Sequence, residues 1–336
     1  MKMSKLLSCL LVGSLFIMSC GKPHDPESIN SDMGGYKKVS SFITAGNAQD
    51  VVFKDQKVFI AEGEVGLMIV DVSNPASPQK VSIVSEGARG YSTRVQIKDS
   101  VVYLAAGSFG VTAINVADPY NPSVAVNNVG AKPARNIHIM DDYMVVAISE
   151  LGVVFADLSN PAYPDIRGDI STTPGYAMGV TSTSDKSKLL VATGEYGLVI
   201  YDISVFEEGY GEYPMIGSFY TPGYAESVAV SENNKIAFMA CGNEGLQILD
   251  FSNPEKIKVV GSFYHSGYAK ALIYKNNRVY IAARKGGLQI VDVSDVTKPV
   301  LIGRVGTEGA FGLDVSGDYI YIADEIAGLI IVKAGA

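Results

Sequence analysis

The chain has 336 residues and a formal net charge of −8, with 27 basic residues against 35 acidic ones. An acidic chain without a basic run is unsuited to nucleic acid, whose binding rests on phosphate neutralisation. Three His, three Cys and no Trp leave few metal ligands and remove the flat indole on which sugars commonly stack.

Lys2 and Lys5 precede an apolar stretch from Leu6 to Met18, too short to span a bilayer and laid out as a secretory signal over residues 1–19. Ile17-Met18-Ser19-Cys20 resembles a bacterial lipobox, which implies a lipid on Cys20. The expectation is an exported protein anchored by acyl chains to a membrane of the cell envelope, the outer membrane in particular. Residues 20–35 are polar, carry Pro and Gly, and read as a flexible tether; residues 36–336 read as the folded domain. Cys9 leaves with the signal and Cys20 takes the lipid, so Cys241 stands alone. It ends the apolar run AFMAC and reads as a small buried residue rather than a nucleophile.

From there the chain writes nearly one phrase seven times. The copies begin at Gly66 (GLMIVD), Gly110 (GVTAIN), Gly152 (GVVFAD), Gly197 (GLVIYD), Gly245 (GLQILD), Gly287 (GLQIVD) and Gly328 (GLIIVK). The spacings of 44, 42, 45, 48, 42 and 41 residues are those of a repeat architecture. Each unit resolves into four short strands. The first follows a Gly-Tyr-Ala-like entry, as in GYAESVAV from Gly223. Polar pairs such as Asp141-Asp142 or Asn276-Asn277 then turn the chain into a second strand, KVFIA or RVYIA. The Gly-Leu phrase is the third strand. A Ser-Asn-Pro turn ends it, since Pro lacks the ladder donor, and a segment like VVGSF is the fourth.

Runs rich in Val, Ile, Tyr and Phe, apolar on both faces, predict four-stranded antiparallel sheets covered on both sides. Such sheets at this period predict an all-β, seven-bladed β-propeller. The seventh copy stops after its third strand, and Lys37 to Phe42 has the missing strand's pattern. An N-terminal strand closing the last blade removes two exposed sheet edges.

The phrase resembles that of the LVIVD-repeat family of bacterial and archaeal surface proteins, with Val70-Asp71, Asp157, Asp202, Asp250 and Val291-Asp292 fitting the motif. The resemblance implies a propeller and a surface location and transfers no activity. Asn115 and Lys333 depart from it at the Asp position, and copy four lacks the Asn-Pro turn; both departures bear on local turn geometry.

No HExxH, GxSxG, Walker-type loop or Cys pair is present, so no catalytic residue, metal site or cofactor is assigned. The loops between third and fourth strands are nearly uniform, but those between second and third strands vary, as do the positions just after the entry. Both variable sets emerge on one end of a four-stranded meander, where a rigid frame presents different side chains. Asp50, Arg94, Arg135, Asn136, Glu226 and Lys270 are the candidate ligand-binding residues at the mouth of the axis. Tyr91, Tyr176, Tyr224 and Tyr268 recur at one position and read as wedges between blades. His138 alternates with Ile137 and Ile139 near the axis and reads as structural. The longer loop from Val205 to Tyr213 in copy four reads as a tolerated insertion at the opposite end.

The function expected is a non-enzymatic scaffold, held to the membrane by Cys20, that binds a protein or a surface glycan. The competing reading is a carbohydrate-active enzyme drawing carboxylates at the mouth from Glu64, Glu195, Glu226 and Asp50.

Overall fold

Each repeat folds as a meander because its turns hold residues that accept a left-handed backbone. Asp55 and Gln56 (φ 49° and 62°) reverse the chain in the first unit, and Asn276 and Asn277 (φ 53° and 58°) in the sixth. At the far end of the third strand the Asp of each phrase closes the next turn. Asp71 Oδ1 accepts from Ser73 N at 2.8 Å, and Asp157, Asp202, Asp250 and Asp292 do the same two residues on. Asn115 keeps that bond, accepting from Ala117 N at 2.9 Å, so its departure from the motif leaves the turn intact.

The computed structural model describes residues 32–204, 213–264 and 266–335. The expected signal, Cys20 and most of the copy-four loop lie outside the described residues. The repeats form seven four-stranded antiparallel sheets. Innermost in each is the strand after the entry: Asp50–Lys54, Arg94–Lys98, Asn136–Met140, Gly179–Ser182, Ser227–Val230, Ala271–Lys275 and Ala310–Ser316 for blades one to seven. Consecutive inner strands pack against one another around a closed ring, blade seven meeting blade one. Lys37–Phe42 is the outermost strand of blade seven, paired antiparallel with Gly328–Lys333, as its sequence pattern predicts. The protein is a seven-bladed propeller, and its core lies between blades rather than within them. Tyr103, Met144 and Leu158 are buried between blades two and three, and Val58, Tyr321 and Leu329 across the closure. Strands apolar on both faces are what this packing requires, each large side chain contributing roughly 2 kcal/mol by leaving water.

Two inter-blade devices go beyond a simple meander. The outermost strands carry a one-residue bulge, after Val70's partner in blade one and at matching places in blades four to seven. The residue beyond it meets the next blade's turn. Ser82 Oγ donates to Pro119 O at 2.7 Å and Ser40 Oγ to Pro75 O at 2.6 Å. Gly261 lacks the side chain that would overlap the Val296 carbonyl. The second device is at the entry. Ala134, Ala177, Ala225, Ala269 and Ala310 pair with Gly107, Ser149, Gly194, Gly242 and Arg284 in the loop of the preceding blade.

The tether expected to reach residue 35 is already docked from Asp32. Gly306 N donates to Asp32 Oδ1 at 3.2 Å, and Met33 pairs antiparallel with Arg304 of blade six's outer strand. Gly34 (φ 74°) lies against the Ile302 carbonyl where a Cβ would not fit, and Tyr36 is buried against Gly303. The chain descends the wall of blade six, turns, and climbs as the last strand of blade seven.

The blades flanking the closure carry acids at the end of the second strand, where the others carry Ala106, Ile148, Thr193, Cys241 and Ala283. Asp324 accepts from Gly309 N at 2.7 Å and from Ile326 and Ala327 N. Glu62 is fully buried, and burial raises its carboxyl to about 7, the backbone amides of Ala45 and Gly46 offsetting part of that cost. A carboxyl raised in the folded state stabilises fully below its unfolded value near 4.5, and that stability is lost as pH climbs through about 7. Glu62→Gln is therefore expected to gain on the natural chain by about 3 kcal/mol between roughly pH 4.5 and pH 8. Melting temperatures of the two chains across that range read the difference. Cys241, also fully buried, is a free thiol that burial pushes up to about 12, the inert residue its place in the second strand suggests.

Candidate functional site: the axial mouth

The residue just after each entry stands at the top of an inner strand, so one position contributes seven side chains to one opening. Gln49, Thr93, Arg135, Met178, Glu226, Lys270 and Phe311, one per blade, line a cavity of about 90 Å³ there, together with Arg94. Below it a channel of about 420 Å³ is walled by all seven inner strands, with Asp50, Arg94 and Asn136 at its upper end. All six candidate residues thus reach the axis, in two layers. Arg135, Glu226 and Lys270 form the rim, Asp50 and Asn136 lie beneath, and Arg94 belongs to both. Glu64 and Glu195 lie in exposed outer loops and line neither cavity.

Within the mouth the charges pair between neighbouring blades. Lys270 Nζ donates to Glu226 Oε2 at 2.7 Å, and the Tyr268 hydroxyl donates to Glu226 Oε1, also at 2.7 Å. Burial pulls the Lys270 ammonium below its ordinary range, with Glu226 opposing that shift. Arg94 lies 3.7 Å from Asp50, which also accepts from Val95 N at 3.1 Å. Burial still raises Asp50 to about 6, because one guanidinium and the backbone amides of Val95 and Val51 offset only part of the desolvation. Gly312 of blade seven makes room for Asp50, since a Cβ there would overlap its carboxylate. Arg135 is the exception. It is exposed, and among the described residues no carboxylate oxygen lies within 4 Å of its guanidinium.

Three of the four recurring tyrosines are packed as wedges, and Tyr176 is exposed. Tyr91, Tyr224 and Tyr268 place their rings over Gly63, Gly194 and Gly242 of the preceding blade. Arg284, not singled out from the sequence, lies over Phe311 at 4.5 Å and Tyr268 at 5.6 Å from the ring centroids, roofing the rim. Asp314, also missed, accepts from Phe53 N at 2.7 Å and stitches blade seven to blade one beneath the mouth. Its only sequence signal is an acid inside an apolar inner strand. His138 lines the far part of the channel, where its Nε2 accepts from Ser182 N at 3.2 Å and lies 2.9 Å from Ser182 Oγ. Burial pushes it down to about 4, so the ring is neutral and links two blades. Among the described residues no three His, Cys, Asp or Glu side chains gather to hold a metal.

A closed ring of seven blades whose variable residues converge on one end defines a β-propeller of the kind that presents a binding face. The LVIVD repeat family matches residues 45–85, 131–172, 222–264, 266–307 and 309–333, more than half of the chain, and the protein belongs to that family. The matched stretches leave out blade two, with Asn115 in its motif, and blade four, without the Asn-Pro turn. No curated protein matches the chain. Among solved structures it is similar to the crystal structure of the computationally designed Ika8 protein, at 11% identity and a TM-score of 0.62. That likeness covers 88% of this chain and 99% of the designed one, and it concerns the fold alone.

Proposed function

We propose that the protein is an exported, non-enzymatic binding propeller, anchored by lipid on Cys20 in the cell envelope at the outer membrane, that holds a protein or a surface polymer against its axial mouth. One observation carries this reading. A single repeat position, fixed in place and varied in chemistry, assembles two cations, a carboxylate, an amide, a hydroxyl, a thioether and an aromatic ring around one opening. Glu226, Lys270 and Phe311 have partners within the ring, but Arg135 is left exposed without a close carboxylate, and a rigid ring offers such a residue to a ligand at little ordering cost. The carbohydrate-active reading has less behind it, since Glu64 and Glu195, half of its carboxylate set, line neither cavity.

Arg135→Glu tests the reading without breaking an internal pair. Natural and variant chains, both full length, are recovered from native membranes after crosslinking. A partner held at the mouth is expected to be lost at least about tenfold from the variant at an unchanged melting temperature. Equal recovery removes the mouth from function. Labelling with radioactive palmitate tests the anchor separately, since Cys20→Ala is expected to abolish the label and release the chain from membranes.

A further inference from the structure

Around the mouth the face is not uniform. At the residue before the Gly of each third strand, blades two, three and four carry Phe109, Leu151 and Tyr196, exposed by 43%, 43% and 54%. Blades five and six have Glu244 and Gly286 there. The rings are seated rather than loose: Phe109 fills the space over Gly90 and Tyr196 that over Gly175, where a Cβ would collide with each. Beside Phe109 a cleft of about 330 Å³ is lined by Arg89, Thr112, Asn127 and Lys132. Arg89 and Lys132 are exposed, and among the described residues neither has a carboxylate oxygen within 4 Å. Hydrogen bonds from its own amide and from Ser149 lower the carboxyl of Glu150 in the next loop, and the charge of Arg135 adds to this. With Arg135 they put three cations without a close ion pair on one sector, and the exposed acids Glu150 and Glu195 stand farther along it beside Leu151 and Tyr196.

We propose that this sector, over blades two to four, docks an acidic peptide segment of a protein partner, its carboxylates meeting Arg89, Lys132 and Arg135 and its apolar side chains covering Phe109, Leu151 and Tyr196. The proposal rests on the mouth reading and names the partner's chemistry. Charge places the ligand's carboxylates on the Arg89–Lys132 side, at the cleft beside Phe109 and away from Glu150 and Glu195, because an acidic molecule repels acidic segments elsewhere and admits them where cations lack a close partner. The apolar arc selects its class. Aromatic and aliphatic side chains ringed by arginine are the composition of a protein interface, and Leu151 in the middle of the arc offers a sugar ring no face to stack on. Preseated side chains reduce the ordering cost of binding.

The probe is a fluorescein-labelled dodecapeptide of Asp, Glu, Leu and Phe. Its counterpart with Lys in place of the acids and trigalacturonate as competitor complete the set, each titrated against the full chain by anisotropy. The acidic peptide is expected to bind the natural chain, to weaken about tenfold or more in Arg89→Glu/Lys132→Glu and in Phe109→Ser, and to weaken as salt rises from about 50 to about 300 mM. The basic peptide is expected to bind at least about tenfold more weakly. Equal binding of both peptides, indifference to the double reversal in a variant that melts normally, or no binding of the acidic peptide each overturns the proposal. Trigalacturonate that displaces the peptide and depends on Arg89 and Lys132 but not on Phe109 overturns it in favour of an acidic glycan. If the Arg89→Glu/Lys132→Glu chain keeps its membrane partner while Arg135→Glu loses it, the mouth reading stands and this one falls.

Discussion

A chain trimmed of residues 20–45 is expected to lose about 5 kcal/mol or more of stability, and to self-associate, whereas one trimmed of residues 20–31 is expected to melt as the natural chain does. The longer cut removes Lys37–Phe42 and with it every hydrogen bond along the outer edge of Gly328–Lys333. It also removes Tyr36, buried against blade six, and Val39 and Phe42, packed on the closure cluster. Burying Tyr36 contributes roughly 2 kcal/mol and the partly buried Val39 and Phe42 about 1 kcal/mol each, and the bared strand is a template for a second copy. Thermal unfolding and size-exclusion chromatography of the three chains decide the matter. An unchanged melting temperature for the longer cut would mean that the ring does not depend on its borrowed strand.

Glu226→Ala is expected to destabilise by about 3 kcal/mol, more than Lys270→Met. The carboxylate is 5% exposed and accepts from both Lys270 and Tyr268, so its removal strands a half-buried ammonium and a hydroxyl together. Removing the lysine leaves the tyrosine bond in place. Glu226→Gln is expected to fall between the two, since an amide oxygen still accepts from the tyrosine. Urea titrations of the single and double variants give the coupling, expected at about 1–2 kcal/mol. Additive losses would show that the pair is only a solvated end of two strands.

The plan of the ring was legible because the same instruction is repeated. A 41-to-48-residue period, turn pairs such as Asn276-Asn277, and an N-terminal segment matching a missing strand specify blades and closure without reference to any single contact. The mouth was legible as a set of positions, because homologous residues of a closed repeat share one height on the axis. Its pairings were within reach too. Asp50 and Arg94, like Glu226 and Lys270, are opposite charges one repeat apart, and consecutive copies are neighbours. What the pattern could not supply is where each side chain turns once it arrives. The stacking of Arg284 on Phe311 and Tyr268 joins residues of different repeat positions, and so leaves no periodic trace. The docking of Met33 along blade six was hidden for a related reason. A short polar stretch with two glycines has the composition of a linker, and only the groove beside Ile302 makes its lack of side chains an asset.

That docked segment also sets a direction. Gly306, which holds Asp32, stands at the mouth-side end of blade six's outer strand, so the docked segment starts on that wall. In a seven-membered circle the members farthest from the sixth are the second and third. Asp32 thus lies across the ring from Phe109 and Leu151, and the segment that descends blade six leaves that arc uncovered.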